Sequence, residues 1–445
     1  MEKISRRDFL KQASMVSAGL MVGTMGLNAK SFSRVLGAND RVHLAFVGVN
    51  GRGHSQAQVF AKLRNVDVNY ICDVDSTIIG KTIAAVERIS GTAPKGIEDF
   101  RTVLSDNNLD ALVHSTPDHW HSPGAIMCAQ AGKHSYVEKP LSHSPREGEL
   151  VIEAMKKYNV LIQMGSQRRS FPLLQEIMEK LHGGVIGKIH MAKGWYVNNR
   201  GPLALTPAAV PATLNYDLWQ GPAPRKPYMD GLIHYNWHWL WNWGTGEALN
   251  NGTHEIDLIR WGLGVDFPTK VTSVGGRYFY DDAWETPDTQ IITWEAPGGV
   301  SIVWEGRSSN GGNVEGEPRN VIFYGENGYV VTGNNDYAVY NKNNRLLDSK
   351  KSGAMEVQGQ NTTSPSLDMD SLHAANFVDT IRGTAKSTCT AEDGHKSTTW
   401  VQLGNIAQRV GHDLRIDPAN GHIIGDREAQ KLWSREYEKG WEVKV

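Results

Sequence analysis

Between residues 39 and 164 the hydrophobic and polar positions alternate between strand-like and helix-like segments. The first apolar run contains Leu44, Phe46 and Val47, and its near-continuous character is typical of a parallel strand covered on both faces. This alternation predicts an α/β fold, a doubly wound parallel sheet whose ligands lie beyond the carboxyl ends of the strands. Later strands are expected over 66–72, 109–115, 134–137 and 160–165, and helices over 54–63, 78–89, 124–131 and 145–158.

Beyond residue 166 the pattern changes to strands separated by glycine and asparagine turns. It predicts an α+β region with a large, mostly antiparallel open sheet, one face on helices and the other toward a partner subunit. Little regular structure is expected over 201–227, and surface hairpins and loop are expected over 334–365. The strands are expected over 189–197, 271–280, 289–295, 299–305, 320–325 and 329–332, with helices over 172–182, 371–382 and 396–410.

A chain of 445 residues contains more than one core's worth of material. We expect a signal peptide over 1–38, a nucleotide-binding domain over 39–165, and a substrate-binding domain over 166–445 whose last helices pack back on the nucleotide-binding domain. The net charge of −2 and the lack of a long basic run argue against a nucleic-acid partner. Three scattered cysteines are too few for a disulfide framework, and no metal site is expected.

A glycine-rich turn follows the first predicted strand. Gly48, Gly51 and Gly53 permit a tight turn, a close approach of the backbone to a pyrophosphate, and packing of the next helix on the sheet. Asn50 stands where the usual fingerprint has glycine, and asparagine tolerates a positive φ. Asp73 ends the second strand, where a carboxylate accepts hydrogen bonds from the adenosine ribose and repels a 2′-phosphate. We interpret the segment as an NAD site; the alternative is a purely structural turn.

Polar side chains also fall at the carboxyl ends of the later strands, which a parallel sheet brings to one edge. His119 lies at one such end, where it contacts the substrate or cofactor or is a buried core histidine. The residues expected to contact the cofactor are Gly48, Asn50, Gly51, Arg52, Gly53, Asp73, Thr116, Pro117, His119, Glu138, Lys139 and Gln167.

The N-terminal segment predicts export. Residues 5–11, Ser-Arg-Arg-Asp-Phe-Leu-Lys, form a twin-arginine signature, and the moderately apolar stretch 15–27 is too short to span a bilayer. The alternative is a mobile helix with a chance arginine pair. We expect a periplasmic protein with no stable membrane span, exported in its folded state.

Several segments together resemble the Gfo/Idh/MocA oxidoreductases, the family of glucose-fructose oxidoreductase and inositol dehydrogenase. They are the glycine turn, Glu138-Lys139-Pro140, and residues 244–257, Gly-Thr-Gly-Glu-Ala-Leu-Asn-Asn-Gly-Thr-His-Glu-Ile-Asp. The resemblance implies that Lys139 lies beside the nicotinamide, often on a cis-proline turn. It also implies that a histidine four residues after an aspartate completes the catalytic group. The matching positions are His254 and Asn250, and an amide orients an imidazole without stabilising its charged form.

Oxidation of a carbinol requires a base for the hydroxyl proton and groups that hold the alkoxide. His254 is the base and Lys139 the alkoxide stabiliser, or Lys139 takes the proton itself once its pKa is lowered. The alternative is a solvated turn lysine and a core histidine. Sugar contacts are expected from an arginine pair, a tryptophan-rich stretch that equally suits core packing, and neighbouring polar groups. These substrate candidates are Arg168, Tyr196, Trp237, His238 and Asp257.

Export constrains the reaction, because an exported enzyme meets no free NAD pool and must regenerate its cofactor in place. The leading hypothesis is an NAD-dependent oxidoreductase acting on a secondary hydroxyl of a sugar or glycoside. The second is a redox-neutral glycosidase similar to glycoside hydrolase family 109, in which oxidation at C3 is followed by elimination, hydration and reduction. The third is a sugar-binding sensor that retains NAD. We also expect a homo-oligomer formed through the open sheet.

Overall fold

The computed structural model describes residues 41–333, 335–352 and 367–445, so the predicted twin-arginine segment lies outside it. The first part of the described chain forms a six-stranded parallel sheet. Its strands are β1 (Val42–Val47), β2 (Val66–Cys72), β3 (Lys95–Ile97), β4 (Ala111–His114), β5 (His134–Val137) and β6 (Ile162–Met164). Their spatial order is β3-β2-β1-β4-β5-β6. The strand order reverses between β1 and β4, where a doubly wound sheet forms its ligand crevice.

Helices cover both faces of this sheet. Leu44 and Phe46 belong to one buried core, and Ala45 and Val47 belong to another, because successive side chains of a strand point to opposite faces. The helices of this part are α1 (Arg52–Ala61), α2 (Ser76–Ser90), α3 (Asp118–Gln130) and α4 (Pro145–Tyr158).

A nine-stranded sheet dominates the rest of the chain. Its strands are β7 (Ile189–Val197), β10 (Lys270–Gly276), β11 (Thr289–Ala296), β12 (Val300–Arg307), β13 (Arg319–Gly325), β14 (Gly328–Thr332), β15 (Asp336–Asn341), β16 (Leu346–Lys351) and β17 (Leu414–Arg415); β8 (Thr206–Pro207) and β9 (Met229–Asp230) pair separately. The order is β16-β15-β14-β13-β7-β12-β11-β10-β17, and only β7 and β12 pair in parallel. The predicted fold class, a parallel sheet followed by a mostly antiparallel one, is confirmed.

Six further helices accompany this sheet, and two of them return to the first sheet. They are α5 (Pro172–His182), α6 (Tyr216–Gln220), α7 (Thr253–Leu263), α8 (Leu367–Ile381), α9 (Ala391–Val410) and α10 (Arg427–Lys431). Phe377 of α8 meets Phe60 of α1 with ring centroids 6.3 Å apart, and Ala391 of α9 packs in one core with Leu141 and Met164. The boundary predicted at residue 165 stays a prediction.

Several predicted element bounds were wrong, and two of them have identifiable reasons. Helix α3 begins at Asp118 rather than at 124, because Pro117 sets an extended cap and the Asp-His-Trp-His segment is already helical. Strand β10 ends at Gly276 rather than at 280, because the carboxylate of Asp288 accepts the next backbone N–H groups, those of Tyr278 and Phe279. Within the described ranges, no helix is both long and apolar enough to cross a membrane.

Candidate active site

The glycine turn leaves room for a ligand in front of α1. Gly48 has φ of +79°, a conformation that favours glycine, and a methyl group on Gly53 would lie 2.1 Å from the carbonyl oxygen of Gly48. A methyl group on Gly51, in contrast, would meet nothing within 4 Å. The N-terminus of a helix beside open space is a suitable place for a pyrophosphate. The turn therefore fits the predicted dinucleotide.

Asp73 lies at the carboxyl end of β2 and is tied to the turn. Its Oδ2 accepts the backbone N–H of Val49 at 2.8 Å, and its Oδ1 accepts that of Asp75 at 3.1 Å. Burial raises the pKa of this carboxyl. The neighbouring Asn50 receives the Nζ of Lys81 on its carbonyl oxygen at 2.9 Å. Each Asp73 oxygen has a further lone pair with which to accept a ribose hydroxyl.

Arg52 joins the glycine turn to the second half of the chain. Its Nε donates to Glu138 at 2.7 Å, and its two terminal nitrogens donate to the two oxygens of Asp370 in α8, each at 2.7 Å. Burial opposes the charge of Arg52, but the two carboxylates raise its pKa well above the ordinary value. Arg52 and Glu138, both predicted to contact the cofactor, thus also bind each other. Asp370 was not identified from the sequence.

Lys139 lies buried at the carboxyl end of β5, on a cis peptide bond to Pro140. Its Nζ donates to both oxygens of Asn250, at 2.5 Å to the carbonyl oxygen and 2.9 Å to Oδ1. Burial lowers the pKa of Lys139, and the charges of Glu138 and Asp118, which raise it, do not reverse that shift. The structure therefore brings Asn250 to Lys139, whereas the resemblance paired Asn250 with His254; the amide nitrogen of Asn250 instead donates to Glu247.

Asn250 lies in a wide helical turn. Residues Ala248–Gly252 form a π-helical turn just before α7, and such turns alter the backbone hydrogen bonding of a helix. The preceding residue, Glu247, accepts the Nε of Arg200 at 2.5 Å and the Nδ2 of Asn250 at 3.4 Å. Asn251 also donates to Glu247.

His254 lies on the first turn of α7, buried and with no hydrogen-bond partner on its ring among the described residues. Burial lowers its pKa well below the ordinary value, and the positive charges of Lys139, Arg319, Arg168 and Arg52 lower it further. The imidazole is therefore neutral, and one ring nitrogen donates while the other accepts.

Two guanidinium groups share one carboxylate beside His254. Glu255 Oε1 accepts the terminal nitrogen of Arg319 at 2.7 Å and lies 3.7 Å from the NH1 of Arg168. Burial and the charge of Arg319 lower the pKa of Arg168 to about 9. Arg319 also lies 5.0 Å from the ring centroid of Tyr196. Arg319 is the first residue of β13. No sequence motif marked it as a candidate site residue.

The tryptophan-rich stretch forms a packed wall. His238 stacks on Trp237 with centroids 3.6 Å apart, and the Nε1 of Trp237 donates to the carbonyl of His234 at 3.1 Å. His234 lies 3.0 Å from Asp75, so the stretch reaches the carboxyl end of β2. Tyr196 accepts the Nδ2 of Asn198, and burial, then Glu247, raises the pKa of its phenol to about 12.

Two predicted residues have buried partners of their own. The His119 ring is fully buried, bonds the carbonyl oxygen of Trp219 at 2.9 Å, and has its pKa lowered by burial to about 3. Asp257 receives Arg169 at 2.9 Å and the hydroxyl of Ser397 at 2.6 Å. These contacts do not connect His119 or Asp257 with Lys139 or His254.

The remaining predicted cofactor residues lie at the same sheet edge. Pro117 caps α3, and the side-chain oxygens of Thr116 (Oγ1) and Gln167 (Oε1) are buried without a partner in the described chain. Unpaired buried oxygens at the crevice are consistent with a polar ligand.

Sequence reasoning passed over two neighbours of His119. The buried carboxylate of Asp118 accepts the hydroxyl of Thr245 at 2.5 Å. The ring of His121 lies 2.8 Å from the carbonyl oxygen of Thr116 and 2.6 Å from that of Pro140, which anchors the turn carrying Lys139. The sequence feature that could have identified them is the run of ionisable side chains in Asp-His-Trp-His. In the described part of the chain, no group of three His, Cys, Asp or Glu side chains is placed to hold a metal.

Two family profiles match the chain. Residues 20–166 match the oxidoreductase family, NAD-binding Rossmann fold, and residues 184–330 and 319–443 match the oxidoreductase family, C-terminal alpha/beta domain. The chain belongs to the Gfo/Idh/MocA oxidoreductase family. The first sheet and its helices accordingly form an NAD-binding Rossmann domain. The predicted cofactor, NAD, is confirmed.

Curated relatives match part of the chain. A glycosyl hydrolase family 109 protein of Shewanella putrefaciens is 32% identical over 174 residues, 35% of this chain and 38% of the relative. An alpha-N-acetylgalactosaminidase of Shewanella oneidensis is 30% identical over 174 residues, with the same shares. The matched region thus spans under half the length of these relatives.

Solved structures of sugar oxidoreductases share the fold. Levoglucosan dehydrogenase, in complex with NADH and levoglucosan, has a TM-score of 0.63 at 16% identity, covering 84% of this chain and 99% of that one. The WlbA dehydrogenase of Bordetella pertussis, in complex with NADH and UDP-GlcNAcA, has a TM-score of 0.62 at 18% identity, covering 85% and 98%. Identities this low establish the common architecture alone.

Proposed function

We propose that the protein is an exported, NAD-dependent oxidoreductase that acts on a secondary hydroxyl of a sugar or glycoside. The observation that carries the proposal is the arrangement at Lys139. Its buried Nζ has two hydrogen-bond partners, both on Asn250, at the edge of the sheet where NAD binds. Nζ is tetrahedral, so one position is left for a substrate hydroxyl.

The residues of the glycine turn, with Asp73 on the ribose, would hold the cofactor. When bound there, NAD supplies the acceptor for a hydride from the carbinol carbon. Open space at Gly51 and the unpaired oxygens of Thr116 and Gln167 fit this ligand.

Lys139 is the base in this proposal. As a neutral amine it donates its two N–H groups to the oxygens of Asn250, and its lone pair occupies the remaining tetrahedral direction. That lone pair takes the proton of the substrate hydroxyl. Burial favours the neutral amine, because it lowers the pKa of Lys139. His254, held neutral by burial and by its cationic neighbours, which both lower its pKa, donates a hydrogen bond to the same substrate oxygen.

The names of the curated relatives favour a second reaction, redox-neutral glycoside cleavage. Elimination needs a further group that protonates the leaving oxygen. Glu247 is buried against Arg200 and is poorly placed to carry that proton. Tyr196 keeps its proton, since burial raises the pKa of the phenol to about 12, and is the better candidate.

Purified protein without added nicotinamide separates these reactions. It is incubated with p-nitrophenyl α-N-acetylgalactosaminide, with other p-nitrophenyl glycosides and with free sugars. Nitrophenol release identifies the glycosidase, a keto-sugar identifies the oxidoreductase, and binding without turnover identifies a sensor.

Lys139→Ala should lower turnover by about 100- to 10,000-fold in either catalytic reaction, which leaves a slow residual rate. The matched control is Lys133→Ala, because Lys133 is also buried and its Nζ donates to a backbone carbonyl, that of Asp106, at 2.7 Å. The control keeps the wild-type rate. Equal rates for wild type and Lys139→Ala would remove the site assignment.

We propose that two copies associate through the outer face of the nine-stranded sheet. Val274 and Ile291 pair directly across β10 and β11 and are 66% and 47% exposed, and Tyr329 stacks on Tyr340 of the next strand at 4.8 Å. Exposed apolar side chains on a sheet face fit an interface. Sedimentation tests it, because Ile291→Asp should give monomers, and an unchanged mass would contradict the interface.

The export proposal rests on the twin-arginine signature and predicts a periplasmic protein. Replacing both Arg6 and Arg7 by lysine should retain the protein in the cytoplasm when the host cells are fractionated. Periplasmic recovery of that variant would contradict export by this route.

A further inference from the structure

A chain of four side chains leads away from the proposed base. Lys139 donates to Asn250 Oδ1 at 2.9 Å, the Nδ2 of the same amide donates to Glu247 Oε1 at 3.4 Å, and Arg200 donates to Glu247 at 2.5 Å. Arg200 is itself held over the ring of Trp239 at 4.5 Å. All four groups are buried or nearly so, and the contacts join three separate parts of the chain.

The carboxylate of Glu247 determines which way the amide of Asn250 faces. With Nδ2 toward Glu247, Oδ1 faces the Nζ of Lys139, and each contact pairs a donor with an acceptor. The reversed amide would place two acceptors together at Glu247, and it would draw the lone pair of the neutral Lys139 amine toward Nδ2 and away from the substrate. Only one orientation therefore pairs Glu247 with a donor and leaves that lone pair free.

The position of the charge matters for a lysine base. The family resemblance places an aspartate at the position of Asn250, so that a carboxylate would touch the catalytic lysine directly. Here the carboxylate belongs to Glu247, three residues earlier, and its charge is paired with Arg200. The lysine gains an oriented acceptor without a carboxylate hydrogen-bonded to its Nζ, and the more distant charges of Glu138 and Asp118 only partly offset the lowering of its pKa by burial.

We propose that Glu247 is a positioning residue for the proposed reaction: it fixes the Asn250 amide so that Lys139 presents its open position to the substrate. This inference rests on the proposed function of Lys139 as base. Arg200 supports it by holding the carboxylate in place.

Exchanging the carboxylate of Glu247 with the amide of Asn250 tests the inference in the full-length, NAD-loaded protein. Glu247→Gln lets the amide of Asn250 turn over, so kcat should fall about tenfold with KM and bound NAD unchanged. Asn250→Asp sets two carboxylates against each other at a contact that now measures 3.4 Å, and kcat should also fall. The double variant again pairs an amide with a carboxylate, and its kcat should exceed that of either single variant.

The pH profile separates positioning from mere stability. In the double variant a carboxylate touches Lys139 directly, so the acid limb of kcat/KM should lie at higher pH than in the wild type. Trace acetylation of the Lys139 amine with acetic anhydride, read by mass spectrometry against pH, should show the same displacement without turnover. The acetylation measurement also applies to any variant too slow to assay.

The control is Glu147→Gln. Glu147 is equally buried and pairs with Arg435 at 2.7 Å, but it does not contact Asn250. The Glu147→Gln variant should leave kcat and the acid limb of kcat/KM unchanged. Wild-type kcat in Glu247→Gln, or a double variant no faster than the faster of the two single variants, would overturn the inference. If Lys139→Ala itself keeps the wild-type rate, the proposed function fails instead, independently of Glu247.

Discussion

Two glycines of the nucleotide turn should separate folding from cofactor binding. In Gly53→Ala the new methyl group would lie 2.1 Å from the carbonyl oxygen of Gly48, so one backbone segment must move by about 1 Å to reach an ordinary contact. Overpacking of this kind costs about 1–3 kcal/mol or more. In Gly51→Ala the methyl group meets nothing within 4 Å, and φ of −107° suits alanine. The stability change at Gly51 should stay within about 0.5 kcal/mol.

The same comparison gives opposite expectations for NAD. A pyrophosphate that approaches the backbone at Gly51 leaves no room for a side chain there, so Gly51→Ala should bind NAD about 10- to 100-fold more weakly while folding normally. Gly53→Ala should lose both stability and affinity. Urea unfolding of the NAD-free protein gives the free energy of unfolding, and titration calorimetry gives the affinity.

Two results would refute this reasoning. Wild-type NAD affinity in Gly51→Ala would show that the cofactor does not cross the turn at this glycine. Wild-type stability in Gly53→Ala would show that the approach between Gly53 and Gly48 is looser than the structure has it.

Two further predictions concern stability. Asp370→Asn removes one charged partner of Arg52 and should lower the free energy of unfolding by about 2–4 kcal/mol, whereas Asp348→Asn, a half-exposed partner of Lys180, should cost less than about 1 kcal/mol in the same urea experiment. Burial lowers the pKa of His114 to about 3 and that of His373 to about 4, so the unfolded chain binds more protons below the ordinary pKa of 6.5. Stability should therefore be fully present above that pH and fall as the pH drops toward 4, by up to about 1.4 kcal/mol per pH unit for each histidine. A stability independent of pH between about 6.5 and 5 would contradict their neutral burial.

The fold was largely accessible from the sequence because local patterns encode it. The apolar run at Leu44 to Val47 and the glycines after it specify a strand, a turn and a helix within twenty residues, and the structure contains all three. The hairpins after residue 270 are also local, since their strands pair with the next strand in the chain. The parallel pairing of β7 with β12 joins distant segments, and no periodicity specifies it.

The site was accessible only in part, because many of its contacts join residues far apart in sequence. Lys139, Asn250 and His254 belong to recognisable motifs. Arg52 binds Asp370, which follows it by 318 residues, and Arg200 binds Glu247 from the segment just after β7, without a motif of its own. The sequence also left the base open between Lys139 and His254. The burial and neighbouring charges of the two groups, which only the fold establishes, favour Lys139.

The pH dependence of kcat/KM tests the central claim most directly, when wild type, Lys139→Ala and His254→Ala are compared on the same sugar or nitrophenyl glycoside. If Lys139 is the base, the wild-type rate rises with pH to a plateau through a lysine pKa lowered by burial. That limb disappears in Lys139→Ala, and it persists at a lower plateau in His254→Ala. An unchanged limb in Lys139→Ala, or its loss in His254→Ala alone, would contradict the account.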